Sequence, residues 1–132
     1  MAWIEELRKS RTLAGLGDDV LERLARRMHE IDVRENQVLI ESGQKGSGLF
    51  LVCDGTVVVE TPGERLELGP GEVVGEIAMV GPGDRRTARV YARTPVRCLA
   101  IGRSELEDVL AAEPSLAEAL RELAGSRLRL PS

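Results

Sequence analysis

Aromatic side chains are almost missing from this sequence, which has one Phe, one Tyr and one Trp in 132 residues. Any core must therefore be aliphatic, and the 42% hydrophobic content supplies enough Leu, Val, Ile and Ala for one compact unit spanning residues 1–132. Histidine is scarcer in its consequences. His29 stands alone, so the clusters of two or three histidines and a carboxylate that hold a catalytic metal cannot be assembled, and Ser/His/Asp or Cys/His catalysis would depend on this one residue. No enzyme activity, catalytic set or metal site is expected. There are two cysteines, Cys53 and Cys98, both inside apolar, strand-like runs, which predicts free, buried thiols. No segment approaches the roughly 18 to 20 apolar residues of a membrane span, and the start Met1-Ala2-Trp3-Ile4-Glu5-Glu6 has no basic stretch leading into an apolar one. A cytoplasmic location is the expectation. An excess of positive charge is missing too. With 18 Lys and Arg against 22 Asp and Glu, the net charge is −4, so no long-range field draws nucleic acid to the chain.

What is present is ordered as helix, strands, helices, which predicts a sheet structure with helical flanks. Asp18 or Asp19 can cap a helix running to about Glu30, with Val20, Leu21, Leu24, Ala25 and Met28 on one face and the solvated charges Glu22, Arg23, Arg26 and Arg27 on the other. His29 is expected at the end of this helix, partly exposed. From about residue 31 to 102 the chain becomes short β-prone runs: Ile31–Val33, Val38–Ile40, Leu49–Val52, Thr56–Val59, Arg65–Leu68, Val73–Val74, Val90–Ala92 and Val96–Ile101. Gly55, Pro62-Gly63, Pro70-Gly71 and Gly81-Pro82-Gly83 punctuate them at the spacing of an antiparallel barrel, not a βαβ fold. The expected fold is mainly β with α: an antiparallel jelly-roll β barrel (a double-stranded β-helix, as in cupins) flanked by an N-terminal helix and two C-terminal helices. Ser104-Glu105-Leu106-Glu107 and Ser115-Leu116-Ala117-Glu118 read as capping boxes opening those last two helices, at about 104–112 and 114–129.

The stretch richest in chemistry is Gly75-Glu76-Ile77-Ala78-Met79-Val80, followed after a Gly/Pro break by Arg86-Thr87-Ala88-Arg89-Val90. A helical turn starting near Glu76 would aim free backbone N–H groups outward, where a helix N-terminus favours an anion. Arg86 can neutralise the same anion with a planar fork of donors, and Glu76, an acceptor when ionised, suits a sugar hydroxyl.

This pattern resembles the phosphate-binding cassette of the cyclic nucleotide-binding domain family: Gly-Glu, an apolar residue, Ala, a variable spacer, then Arg-small-Ala-x-Val. Val38-Leu39-Ile40-Glu41-Ser42-Gly43, Leu51-Val52-Cys53-Asp54-Gly55 and Leu68-Gly69-Pro70-Gly71-Glu72 are similar to the family's turn signatures. The resemblance implies that Glu76 accepts the 2′-hydroxyl of a 3′,5′-cyclic nucleotide, that Arg86 and the amides around Ala78 and Thr87 bind its phosphate, and that Ala88 leaves room. Val74, Gly75 and Ile77 complete the candidate ligand set. Arg85 competes with Arg86, but Arg86 alone is followed by a small residue and then Ala. Val74 stands where an aromatic is common. Small hydroxyl residues such as Thr87 stand at this position in both cyclic AMP and cyclic GMP binders of the family, so the resemblance favours cyclic AMP only mildly.

In the family the last helix is a lid over the base. Here it carries Leu116, Leu120, Leu123, Arg127 and Leu130 at three- and four-residue steps, a stripe that can dock on its own domain, close over the barrel or pair with a partner helix. Arg127 falls where a base-capping residue would lie, with Leu123 and Leu130 as other candidates. The expected function is a cyclic nucleotide-binding regulatory module that signals through this helix to an output domain or protein partner, or between two copies of the chain. DNA binding by this chain is not expected. The alternative is a degenerate domain that keeps the barrel and serves as a protein-interaction module without ligand.

Overall fold

The computed structural model describes residues 2–40, 48–61, 63–75 and 89–128, with the side chains at 2, 64 and 126–128 left aside. Two helices come first, α1 (Ala2–Arg8) and α2 (Asp18–Ala25). Strands β1 (His29–Val33), β2 (Val38–Ile40), β3 (Gly48–Asp54), β4 (Val57–Thr61), β5 (Glu64–Leu68), β6 (Val73–Val74), β7 (Arg89–Ala92) and β8 (Val96–Gly102) follow, and then helices α3 (Arg103–Ala112) and α4 (Pro114–Leu128). The strands pair antiparallel into two four-stranded sheets, ordered β1-β8-β3-β6 and β2-β7-β4-β5. Chain segments that alternate between two sheets in this order make a jelly roll.

The first sheet is the middle layer of the molecule. Leu49, Leu51 and Cys53 of β3 and Leu99 and Ile101 of β8 join the apolar cluster that α1, α2, α3 and α4 complete. Their strand neighbours Val52, Val96 and Cys98 turn to the opposite face and meet Val57, Leu68, Val90 and Ala92 of the second sheet. Successive side chains on a strand point to opposite faces, so a strand covered on both sides must be apolar at every position. That is why β3 from Leu49 to Cys53 and β8 from Cys98 to Ile101 read as unbroken apolar runs. The two thiols, both buried and unbonded, lie on opposite faces of this sheet.

Three local expectations are corrected. The first is the expected helix to about Glu30, which stops at Ala25. Arg26 caps it with its amide on the Glu22 and Leu24 carbonyls, and His29 is already in register with Ala100 in β1. His29 is therefore an exposed strand residue, not a helix end. The second is capping. The N-caps of α2 and α3 are Gly17 and Gly102, neither with a side-chain cap bond, while Asp18 and Asp19 sit in the first turn of α2 and Ser104 lies inside α3. The chain leaves β8 in extended geometry at Gly102 and turns helical at Arg103, so Gly102 holds the N-cap place that the capping box would have given to Ser104. Ser115 likewise follows Pro114, the first residue of α4, and the proline's missing N–H costs nothing there. The third is α1, a helix ahead of the expected one. Its Trp3, Ile4 and Leu7 recur at helical spacing, with Leu7 fully buried.

Candidate functional site

Of the candidate ligand residues, Glu76, Ile77, Ala78, Arg86, Thr87 and Ala88 lie outside the described residues, as does Arg85. What is described is the frame that delivers them. β6 ends at Val74, in register with Phe50 of β3 and 1% exposed, within the cluster between the sheets. Gly75 follows with φ of 101°, a region that a side chain disfavours. The chain thus turns out of the first sheet immediately before Glu76. The next described residue is Arg89, the first of β7 in the second sheet, whose guanidinium carbon stands 5.8 Å from the Tyr91 ring centre. Val90, next along, is buried and pairs with Val59 and Ile40. The cassette therefore runs from one sheet of the sandwich to the other.

Around these two handover points the lining is apolar and incompletely covered. Phe50 is the strand partner of Val74, Val59 that of Val90, and Leu66 that of Val59. All three pack as half-buried side chains against the inter-sheet cluster. Sequence reasoning singled out none of them, because what unites them is register across distant strands. Val74, which it did single out, is a core side chain here. Phe50 lies directly across the ladder from it and packs half-buried against the same cluster.

Arg127 falls on the last turn of α4. Leu116 and Leu120 of the same helix are fully buried in the helical cluster, with Leu123 half-buried against it, and Leu130 lies outside the described residues. The first half of the stripe is thus committed to the helical layer, on the far side of the first sheet from the inter-sheet cluster. Among the described residues no group of His, Cys, Asp and Glu could hold a metal ion, and no helix is long and apolar enough to cross a membrane.

The model of the cyclic nucleotide-binding domain matches residues 30–113, a span that contains the sandwich but for its first residue, His29, both ends of the cassette and α3. The chain belongs to the cyclic nucleotide-binding domain family. Among relatives of this domain, a cyclic nucleotide-gated potassium channel of Mesorhizobium japonicum is 34% identical over 112 residues, which cover 85% of this chain and 31% of the channel. The N-terminal domain of a transcriptional regulator from Streptomyces coelicolor A3(2) has a TM-score of 0.68 and 32% identity, covering 94% of this chain and 92% of that one. A protein of Geobacter metallireducens GS-15, assigned as a cyclic nucleotide-binding protein, has a TM-score of 0.81 at 24% identity and covers 96% of this chain and 95% of its own, which speaks to the fold. The cyclic nucleotide-binding domain spans about a third of the length of the curated channels it matches.

Proposed function

We propose that this cyclic nucleotide-binding domain is a cytoplasmic, non-catalytic sensor that takes a 3′,5′-cyclic nucleotide, cyclic AMP in preference to cyclic GMP, in the segment between β6 and β7. The observation that carries the reading is the placement of Gly75. A left-handed glycine follows β6 directly before Glu76, at the end of a strand of the first sheet, and the strand after the motif, β7, belongs to the second sheet. In this reading Glu76 accepts the ribose 2′-hydroxyl, Arg86 and the amides near Ala78 and Thr87 take the cyclic phosphate, and Ala88 keeps the approach open. Phe50, Val59 and Leu66 offer the base an apolar wall.

The signal is a population shift. A ligand that touches both the cassette and the end of α4 favours the arrangement in which both contacts exist, by its difference in affinity for the two states. Arg127 stacks on the base in that arrangement, and the moved helix acts on an output domain, a protein partner or a second copy of the chain. Calorimetric titration with cyclic AMP and cyclic GMP tests the reading. Saturable binding is expected, tighter for cyclic AMP, and Arg86→Ala should weaken it about a hundredfold because a phosphate charge is left unpaired in a partly enclosed site. Arg127→Ala should change affinity little. Unchanged binding in Arg86→Ala would remove that residue from the site. No heat and no thermal stabilisation at millimolar nucleotide would favour the ligand-free interaction module.

A further inference from the structure

Away from the cassette, one arginine organises a cluster that the nucleotide reading does not use. Arg97 of β8 donates from Nε to Asp54 Oδ2 of β3 at 2.8 Å, from one terminal nitrogen to Glu30 Oε2 of β1 at 2.8 Å, and from the other to Glu6 Oε1 of α1 at 3.2 Å. A β-bulge builds this arrangement. Between Val52 and Asp54 the β3 ladder advances two residues while β8 advances one, from Cys98 to Arg97, so Asp54 is re-aimed at the arginine. Beside the cluster lies a cavity of about 270 Å³, bounded by Glu6, Lys9, Cys53, Asp54, Gly71 and Arg97. α1 forms one wall of it and the sandwich the other.

The closure of α1 over this cavity is held by opposed features. Leu7, fully buried among the helices, sets the resting position, and Glu6 ties the helix to Arg97. Against them, the hydroxyl of Ser10, at the exit of α1, is fully buried and has no hydrogen-bond partner among the described residues. A desolvated, unsatisfied hydroxyl opposes the closed state and regains its hydrogen bonds when the segment opens. Opening does not strand the arginine either, because Asp54 and Glu30 remain on it when Glu6 leaves. The Glu6 pair is itself partly exposed, the kind that contributes modestly.

We propose that α1 is a strap across the cavity, latched by Glu6 on Arg97, that lifts as a unit while the sandwich stays folded and thereby opens the cavity wall around Cys53. Hydrogen exchange of backbone amides tests this on the whole chain, comparing Leu7–Ser10 with Cys98–Ile101 in wild type, Glu6→Gln and Ser10→Ala. In Glu6→Gln the α1 amides should exchange about fivefold faster, and in Ser10→Ala about fivefold slower, with the β8 amides unchanged in both. Alkylation of Cys53 by iodoacetamide should slow in Ser10→Ala in the same proportion. If α1 and β8 shift together, the helix opens only with global unfolding and the strap is refuted. It is equally refuted if neither variant moves the α1 amides.

Discussion

Gly55 closes the β3–β4 connection with φ of 91°, and a Cβ built on it would lie 2.2 Å from the Pro95 carbonyl oxygen, a backbone atom that cannot step aside. Gly55→Ala therefore combines a left-handed conformation with a clash, and should destabilise the domain by about 2–3 kcal/mol in urea unfolding, with the cyclic nucleotide site itself untouched. Phe50 makes the opposite kind of prediction. Its ring both covers the inter-sheet cluster and faces the end of β6 through its partner Val74. Phe50→Ala should lower stability by about 3 kcal/mol and weaken nucleotide binding as well, read by thermal unfolding and titration of one sample. Arg86→Ala, with no core role proposed for it, should weaken binding at unchanged thermal midpoint. Separating these two outcomes separates a wall residue from a charge partner.

At the scale of elements, the jelly roll was legible because its strands announce themselves in two ways. Turn residues such as Gly55 and Pro70-Gly71 cut the runs at the right places, and Leu49–Cys53 of β3 and Cys98–Ile101 of β8, covered on both faces, carry apolar residues without alternation. The caps were not legible. A Ser-x-x-Glu pattern marks a helix start only where the chain is free to choose one, and β8 hands over to α3 at Gly102 before Ser104 is reached. α1 went unread because its seven residues hold three apolar side chains and gain their order from packing on α2. The cassette motif is local in sequence and was read as a unit. The side chains proposed as its wall, Phe50, Val59 and Leu66, are brought near one another by pairings between strands far apart in the chain, which no single window displays. The last helix tests what an amphipathic stripe means. Leu120 is fully buried in the helical layer, so Leu120→Ala should cost about 2–5 kcal/mol in denaturant unfolding and leave the ratio of affinities for cyclic AMP and cyclic GMP unchanged.

For the whole molecule, the two thiols report on the sandwich as a cooperative unit. Burial, together with the nearby Glu6 carboxylate, pushes Cys53 from the ordinary value of 9.0 up to about 11 on the helical face of the first sheet. Deeper burial pushes Cys98 up to about 12 between the sheets. Below pH 9 both thiols keep their protons whether the chain is folded or unfolded, and the stability linked to them is fully present. Above that, the unfolded chain releases protons that the folded chain retains, so stability falls as pH rises, by up to about 1.4 kcal/mol per pH unit for each thiol. The decline from Cys53 ends near pH 11 and that from Cys98 near pH 12. Urea midpoints taken from pH 8 to 11 should drop more steeply for wild type than for a Cys53→Ala/Cys98→Ala double variant, even though the variant starts lower because two buried side chains have been cut back. Lys, Arg and Tyr groups titrate in both chains and cancel in the comparison. Equal slopes would mean that the thiols ionise as easily in the folded sandwich as in the open chain, which would contradict the double covering of the first sheet. A Cys98→Ala variant that alone removes about half the excess slope would assign one thiol to each face of that sheet.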